Sequence, residues 1–416
     1  MHGVEIAGIG ISMPPTVIDN QRIAEILLEQ RQKVLKSGIE LTAEQMEQYE
    51  SSNDWIVERS GINERRFAAP HETTSDYAAR SGHAAWTDAF GDGLEIPDFL
   101  LLATVSPDHF TTPTTSVATH RKMGIPVSTK IGGLHRLIAR DITQACSSFA
   151  VALQDGVSLI KSGECQCGLV NGSDLMTRVM SWNRRSPFVI LGDGSGTIVL
   201  KQTSPEQSWF GPRAFFAGVN GGLAGMFEQM IINRAGGAAL PTQIEHLDPR
   251  VDAHMMFMDG REVFKHIVRM VSDEIIPSAL AYAGLVLEQI DIMILHQANM
   301  RMVEAIVKRL VTDNPSIAVR MATSSNPAGE LFLVKGMDQA ELAARPHVII
   351  CYNNIDHYGN LTSAVIPVSC YEARELGIIR PGKRVMTVAF GGGFSWCTAI
   401  IEWGGRHLPV FQKRAS

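Results

Sequence analysis

Three residues of this 416-residue chain stand where an apolar run gives way to small or polar residues, and each could do chemistry there. Cys146 lies in Asp141-Ile-Thr-Gln-Ala-Cys-Ser-Ser-Phe-Ala150, the sequence form of a strand-to-helix elbow. A thiol at a helix N-terminus meets unpaired backbone N–H groups and the positive end of the helix dipole, which favour thiolate and nucleophilic attack. A buried structural cysteine fits the same residues equally well. His296 follows Asp291-Ile-Met-Ile-Leu295 and precedes an amphipathic helical pattern. A lone histidine is more often a packed residue, but a strand-end position followed by Gln297 and Asn299 suits acid–base or donor chemistry. Asn360, in His357-Tyr-Gly-Asn-Leu-Thr-Ser-Ala364, is the third such junction, where the plainer reading is a helix cap after a glycine turn.

The elements that must position these residues alternate short β-rich runs with helical patterns, which predicts α/β architecture with helix-covered sheets. Two stretches run in parallel. Cys146 opens a small-residue apolar helix that stops at Gly163 and leads to a strand at Cys167–Ser173; Asn360 opens another that stops at Gly377 and leads to a strand at Val385–Gly391. This pattern predicts an internal duplication. Three stretches interrupt it and read as insertions: 31–52 is charged and helix-prone, 127–140 is basic and glycine-containing, and 312–347 lacks one clear period.

Composition narrows the function classes. Hydrophobic residues make up 45% and charged residues 19%, as in a packed enzyme-sized body, and the net charge of −6 disfavours nucleic acid as a partner. The six cysteines (146, 165, 167, 351, 370 and 397) form no Cys-x-x-Cys pair, so no zinc or other metal site is expected; Cys165 and Cys167 read as alternating along a strand. The N-terminus reads as a first strand rather than a leader. No stretch approaches the roughly 20 apolar residues of a membrane span, and a cytoplasmic protein is expected.

Together the three junctions resemble the thiolase-fold ketosynthases of the β-ketoacyl-acyl-carrier-protein synthase III type. The resemblance extends through Asn53-Asp-Trp-Ile-Val-Glu-Arg-Ser-Gly-Ile-Asn-Glu-Arg-Arg66, Gly192-Asp-Gly-Ser-Gly196, Asp259-Gly-Arg-Glu-Val-Phe-Lys265 and Phe390-Gly-Gly-Gly-Phe-Ser-Trp396, in that order along the chain. It implies a thiolase-like five-layered α/β/α/β/α fold of two duplicated halves, 1–205 with the nucleophile and 206–416 with the histidine and asparagine, usually a homodimer. It also implies that Cys146 takes an acyl group from a coenzyme A or carrier-protein thioester, with the backbone N–H groups of Cys146 and Gly392 as the oxyanion hole. His296 and Asn360 would hold the enolate left when a malonyl-type extender loses carbon dioxide. No cofactor is implied beyond thioester substrates.

By the same resemblance, Trp55, Arg59 and Arg185 surround the nucleotide end of coenzyme A, and Lys265, Arg301, Lys308 and Arg309 form a docking patch for an acidic carrier. Arg301, Lys308 and Arg309 also share a helix face by spacing. Three departures stand out. Thr112 replaces a bulky residue expected to reach the partner's acyl pocket, Ser147-Ser148 lacks the usual glycine after the nucleophile, and the insertions have no counterpart in the minimal frame. They point toward specialised metabolism rather than routine fatty-acid initiation. Two rivals remain: an acyltransferase acting on a hydroxyl or amine with His296 as base, and a non-catalytic partner subunit of a related enzyme.

Overall fold

The computed structural model describes residues 3–91, 96–110, 112–126, 136–204, 211–220, 231–233, 256–258 and 260–404. Most of the 127–140 insertion, at 127–135, lies outside the described residues, as does Asp259.

Two sheets carry the architecture. The first contains β1 (Gly3–Ser12), β2 (Phe99–Ala103), β3 (Ile138–Ile142), β4 (Cys167–Leu175) and β5 (Asp193–Thr203), in the spatial order β1-β5-β4-β2-β3. The second contains β6 (Gly211–Val219), β7 (Ile292–Leu295), β8 (Ile317–Ala322), β9 (Glu330–Leu331), β10 (His347–Tyr352), β11 (Arg384–Gly391) and β12 (Ser395–Glu402), in the order β9-β8-β10-β7-β11-β12-β6. With β8 and β9 set aside, the second sheet repeats the first strand for strand. In both, the first and last strands pair antiparallel, the last and fourth antiparallel, and the fourth, second and third parallel. The duplication read from Cys146 and Asn360 is a duplication of topology.

Helices α1 (Asn20–Lys36), α2 (Ala43–Glu47), α3 (Asn53–Ser60), α4 (Thr74–Phe90), α5 (Thr115–Lys122) and α6 (Ser148–Lys161) belong to the first half of the chain. The second half adds α7 (Gly260–Met270), α8 (Ile276–Ala283), α9 (Met300–Asp313), α10 (Gln339–Ala343) and α11 (Val365–Glu375). The period of two along each strand decides which helices cover it. In β2, Phe99, Leu101 and Ala103 face a central core shared with Phe149 and Leu153 of α6 and Ile366 and Cys370 of α11. Leu100 and Leu102 face outward onto Ala78, Ala85 and Ala89 of α4. In β7, Ile292 and Ile294 face the same central core, whereas Met293 and Leu295 meet Val303 and Val307 of α9. An all-apolar β2 is what a strand buried on both faces requires. The result is five layers, with α6 and α11 in the middle.

Both central helices stop as the sequence implies. Gly163 and Gly377 follow the two C-caps with φ of 79° and 70°, a conformation that favours glycine. Cys165 corrects one expectation. Its N–H bonds to Leu159 O at 3.1 Å in the turn after α6, so it precedes β4 and does not alternate along it with Cys167. The 312–347 insertion is also regular: it adds β8, β9 and α10 beside β10. Its period is unclear because a parallel strand, a two-residue strand and a one-turn helix follow one another too quickly for any one repeat to emerge.

The halves pack closely at Gly172 of β4, where an added Cβ would lie 2.4 Å from Ser363 O. Gly172→Ala should therefore lower stability by about 2 kcal/mol through a backbone clash that cannot relax into space. An unchanged thermal midpoint would contradict this packing. Among the described residues, no helix is long and apolar enough to cross a membrane.

Candidate active site

Cys146, His296 and Asn360, distant in sequence, line one cavity of about 100 Å³. Its other walls are mainly apolar, among them Val105, Pro187, Ile190, Ile267, Met302 and Phe390, and Gly391 and Gly392 complete one side. A larger groove of about 550 Å³, which includes Lys161, Arg213, Tyr282 and Arg384, has neither cysteine nor histidine in its wall. Size does not mark the reactive site here; side-chain chemistry does.

The nucleophile elbow is strained. Ala145 has φ of 48°, a left-handed conformation that costs of order 1 kcal/mol for a residue with a Cβ. Hydroxyl groups over-determine it. Ser148 Oγ accepts from Gln144 N at 2.6 Å and donates to Ala145 O at 2.6 Å, while Ser147 Oγ bonds Gln144 O at 2.8 Å and Ser395 Oγ at 2.9 Å. The Ser147-Ser148 pair that departs from the family pattern thus staples the elbow to β12. The glycine turn presses on it from the other side: an added Cβ at Gly391 would lie 2.6 Å from Cys146 N. Thr362, also in the cavity wall, and Phe394, two residues after Gly392, share the rare positive φ, at 50° and 32°; among the described residues no other non-glycine residue does.

The thiol itself corrects an expectation. Helix α6 begins at Ser148, so Cys146 stands just outside its first turn, and burial pushes the thiol up to about 12. The carboxylate of Asp174 pushes the same way, and a backbone hydrogen bond opposes both only weakly. The resting group is a neutral thiol, not a thiolate.

His296 continues the β7–β11 ladder by donating its N–H to Val388 O at 2.7 Å, and its ring meets Phe390 edge-on at 5.3 Å. Burial pushes its pKa down to about 3, so the imidazole is neutral near pH 7. Nδ1 is buried without a partner. An unpaired acceptor is tolerated there better than an unpaired N–H, which assigns the proton to Nε2. The two polar residues that follow are supports: Gln297 bonds Ser369 Oγ (3.1 Å) and Asn354 N (2.9 Å), and Asn299 caps α9.

Asn360 is not the helix cap of the plainer reading, since Leu361 caps the short 3-10 turn Thr362–Ala364; its Oδ1 instead accepts from Thr362 N at 2.9 Å. That bond fixes the amide and leaves Nδ2 as its available donor end. Its backbone is clamped to the first half by Asn360 N to Ile190 O (2.7 Å) and Gly192 N to Asn360 O (3.2 Å).

Asp174 is a supporting residue that sequence reasoning missed. It is fully buried at the end of β4. Its Oδ1 accepts from Thr104 Oγ1, Val105 N, Ser106 N and Ser106 Oγ, and its Oδ2 from Thr362 Oγ1 and Ser363 N. The only available signal was a polar residue closing the otherwise apolar or small-residue run Leu169–Ser173.

Trp55, Arg59 and Arg185 are brought together, with the two guanidiniums 4.5 and 4.6 Å from the Trp55 ring centroid. Arg185 is two residues from Pro187 in the cavity wall. The basic residues expected to dock a carrier are exposed; Arg301 pairs with Glu58 at 3.5 Å, and Arg309 makes a two-point contact with Asp273. Thr112 is exposed before α5 and does not line this cavity, while nearby Phe110 is 66% exposed.

On this five-layered fold, a half-buried cysteine, a histidine and an asparagine share one cavity. The models of the 3-oxoacyl-[acyl-carrier-protein] synthase III family and of its C-terminal region match residues 140–215 and 339–403. The chain is 34% identical over 354 residues to the β-ketoacyl-[acyl-carrier-protein] synthase III of Roseiflexus castenholzii, covering 85% of this chain and 91% of that one. It is 30% identical over 401 residues to the corresponding protein of Symbiobacterium thermophilum, covering 96% and 98%. The crystal structure of the Thermus thermophilus synthase III superposes with a TM-score of 0.70 at 27% identity, covering 97% of this chain and all of that one. This chain belongs to the β-ketoacyl-[acyl-carrier-protein] synthase III family and is a condensing enzyme.

Two outcomes follow from the site. Because the folded thiol titrates near 12, alkylation of Cys146 by iodoacetamide should rise about tenfold per pH unit from pH 7 to 10 without levelling; a plateau below pH 9 would contradict the burial effect. Asp174→Asn would face two donor groups with an N–H₂ and should lower stability by about 2 kcal/mol, read in denaturant.

Proposed function

We propose that the enzyme forms an acyl thioester on Cys146 and condenses it with a malonyl-type thioester by decarboxylative Claisen chemistry, or with a β-ketoacyl thioester by Claisen chemistry in which the enolate forms by loss of a proton between its two carbonyls. In the first step the Cys146 sulfur attacks a thioester carbonyl, the carbonyl–sulfur bond of the donor breaks, and the departing thiol takes up the thiol proton. Backbone N–H groups of Cys146 and Gly392 stabilise the tetrahedral oxyanion. In the second step, malonyl carbon dioxide leaves, its bonding electron pair becomes an enolate held by His296 Nε2–H and Asn360 Nδ2–H, and the enolate carbon attacks the acyl-cysteine. The new carbon–carbon bond displaces the cysteine sulfur, which regains a proton.

The observation that carries this reading is the neutrality of both donors. With a pKa near 3, His296 is a poor base for simple acyl transfer to a hydroxyl or amine, yet it remains an effective hydrogen-bond donor. Asn360 adds a donor that transfer does not need. The strained, heavily braced elbow also argues against a non-catalytic subunit.

Residues 1–205 would form the nucleophile-bearing half and 206–416 the half that supplies the donors. Trp55, Arg59 and Arg185 would receive coenzyme A, while Lys265, Arg301 and Lys308 would receive an acidic carrier protein, with Arg309 largely neutralised by Asp273. We assign the enzyme to the cytoplasm and to specialised metabolism, the latter on the departures at Thr112 and the insertions. A homodimer is supported by β3, a half-buried edge strand whose outer side has no neighbour within the first sheet.

Intact-mass and carbon-dioxide assays separate the steps. His296→Ala and Asn360→Ala should still acquire an acyl adduct but release carbon dioxide from malonyl thioester at least about 100-fold more slowly. Cys146→Ala should acquire none. Normal decarboxylation in both donor variants would reject the enolate role.

A further inference from the structure

The 31–52 insertion reaches Arg185, two residues from the cavity wall at Pro187. Helix α2 is closed by a capping box, with Gln45 N donating to Thr42 Oγ1 at 3.2 Å and Thr42 N to Gln45 Oε1 at 2.9 Å. Three contacts then run from its C-terminal end to Arg185. Glu47 Oε1 meets Arg185 Nη2 at 2.6 Å, Glu50 O accepts from Nη1 at 3.1 Å, and Gln48 O accepts from the Arg185 N–H at 2.8 Å. Arg31 anchors the segment to α1 through Glu50 at 3.3 Å.

This arrangement engages both recognition elements internally. The Arg185 guanidinium lies over Trp55, and its charge faces a carboxylate of the same chain. The Glu47 side chain is 60% exposed and that of Arg185 17%, so the carboxylate lies on the solvent side, where an arriving anion would meet it first. The surrounding sequence adds to the effect: from residue 37 to 58 there are Glu40, Glu44, Glu47, Glu50, Asp54 and Glu58, and no lysine or arginine. A nucleotide bearing several phosphate charges must displace Glu47 from Arg185 within an acidic rim, whereas an uncharged pantetheine arm need not.

We propose that Glu47 is a specificity-determining residue that competes with the nucleotide of coenzyme A thioesters for Arg185 and so favours donors lacking that nucleotide. This rests on the reading that Cys146 is acylated by a thioester passing Trp55 and Arg185. Because Glu47 is exposed, its substitution spares the core.

The test measures the second-order rate constant for Cys146 acylation, by intact mass, with one acyl group presented on coenzyme A and on phosphate-free pantetheine. Glu47→Gln should raise the coenzyme A value about three- to fivefold, the range of an exposed ion pair, and leave the pantetheine value unchanged. Glu44→Gln, a neighbouring carboxylate of the same rim that makes none of these contacts, should raise the coenzyme A value by less than about twofold and leave the pantetheine value unchanged. The proposal is overturned if Glu47→Gln lowers or leaves the coenzyme A value, raises both values equally, or is matched by Glu44→Gln. Absence of acylation of the unsubstituted protein by either thioester would instead remove the underlying reading, and the proposal with it.

Discussion

One buried carboxylate joins the two halves at the place where the cavity forms. Asp174 gathers four donors from the loop after β2 and two from the segment after Asn360. Each half supplies groups that would cost roughly 1–3 kcal/mol apiece if left buried and unpaired, so the halves are held in one register. That register lets Gly172 pass Ser363 and places the Asn360 amide in the same cavity as the Cys146 thiol. The carboxylate also disfavours thiolate at Cys146, so the device that assembles the site helps keep its nucleophile protonated.

The cavity is therefore a neutral chamber: a thiol, an imidazole and an amide among apolar walls. Neutrality suits an enolate, because a donor that is not acidic can stabilise the anion without quenching it. Braces at the elbow, the clamped Asn360 backbone and the edge contact of His296 with Phe390 fix these groups before substrate arrives. Such fixed donors act strongly on developing charge in a water-poor site.

Much of this was legible in the sequence because the relevant signals are local. Cys146 and His296 each mark a junction where β-type residues stop, whereas Asn360 follows the short helix Ile355–Tyr358, and the glycines after α6 and α11 mark their ends. Other features depend on contacts between distant segments and leave no local trace. Asp174 looks like any polar residue at a strand end until Thr362 and Ser363 meet it. The protonated state of Cys146 is set by burial, which the dipole argument at the elbow did not weigh. The 312–347 segment concealed an added strand because its elements are too short to establish a period.

The account stands most directly on one stoichiometric measurement: a single-turnover experiment in which peptide mass locates the acyl group and carbon dioxide is counted as malonyl thioester is added. The expected result is one acyl group per chain on the peptide containing Cys146, discharged with one carbon dioxide released. An adduct on another residue, or an acyl-Cys146 that malonyl thioester cannot discharge, would contradict it.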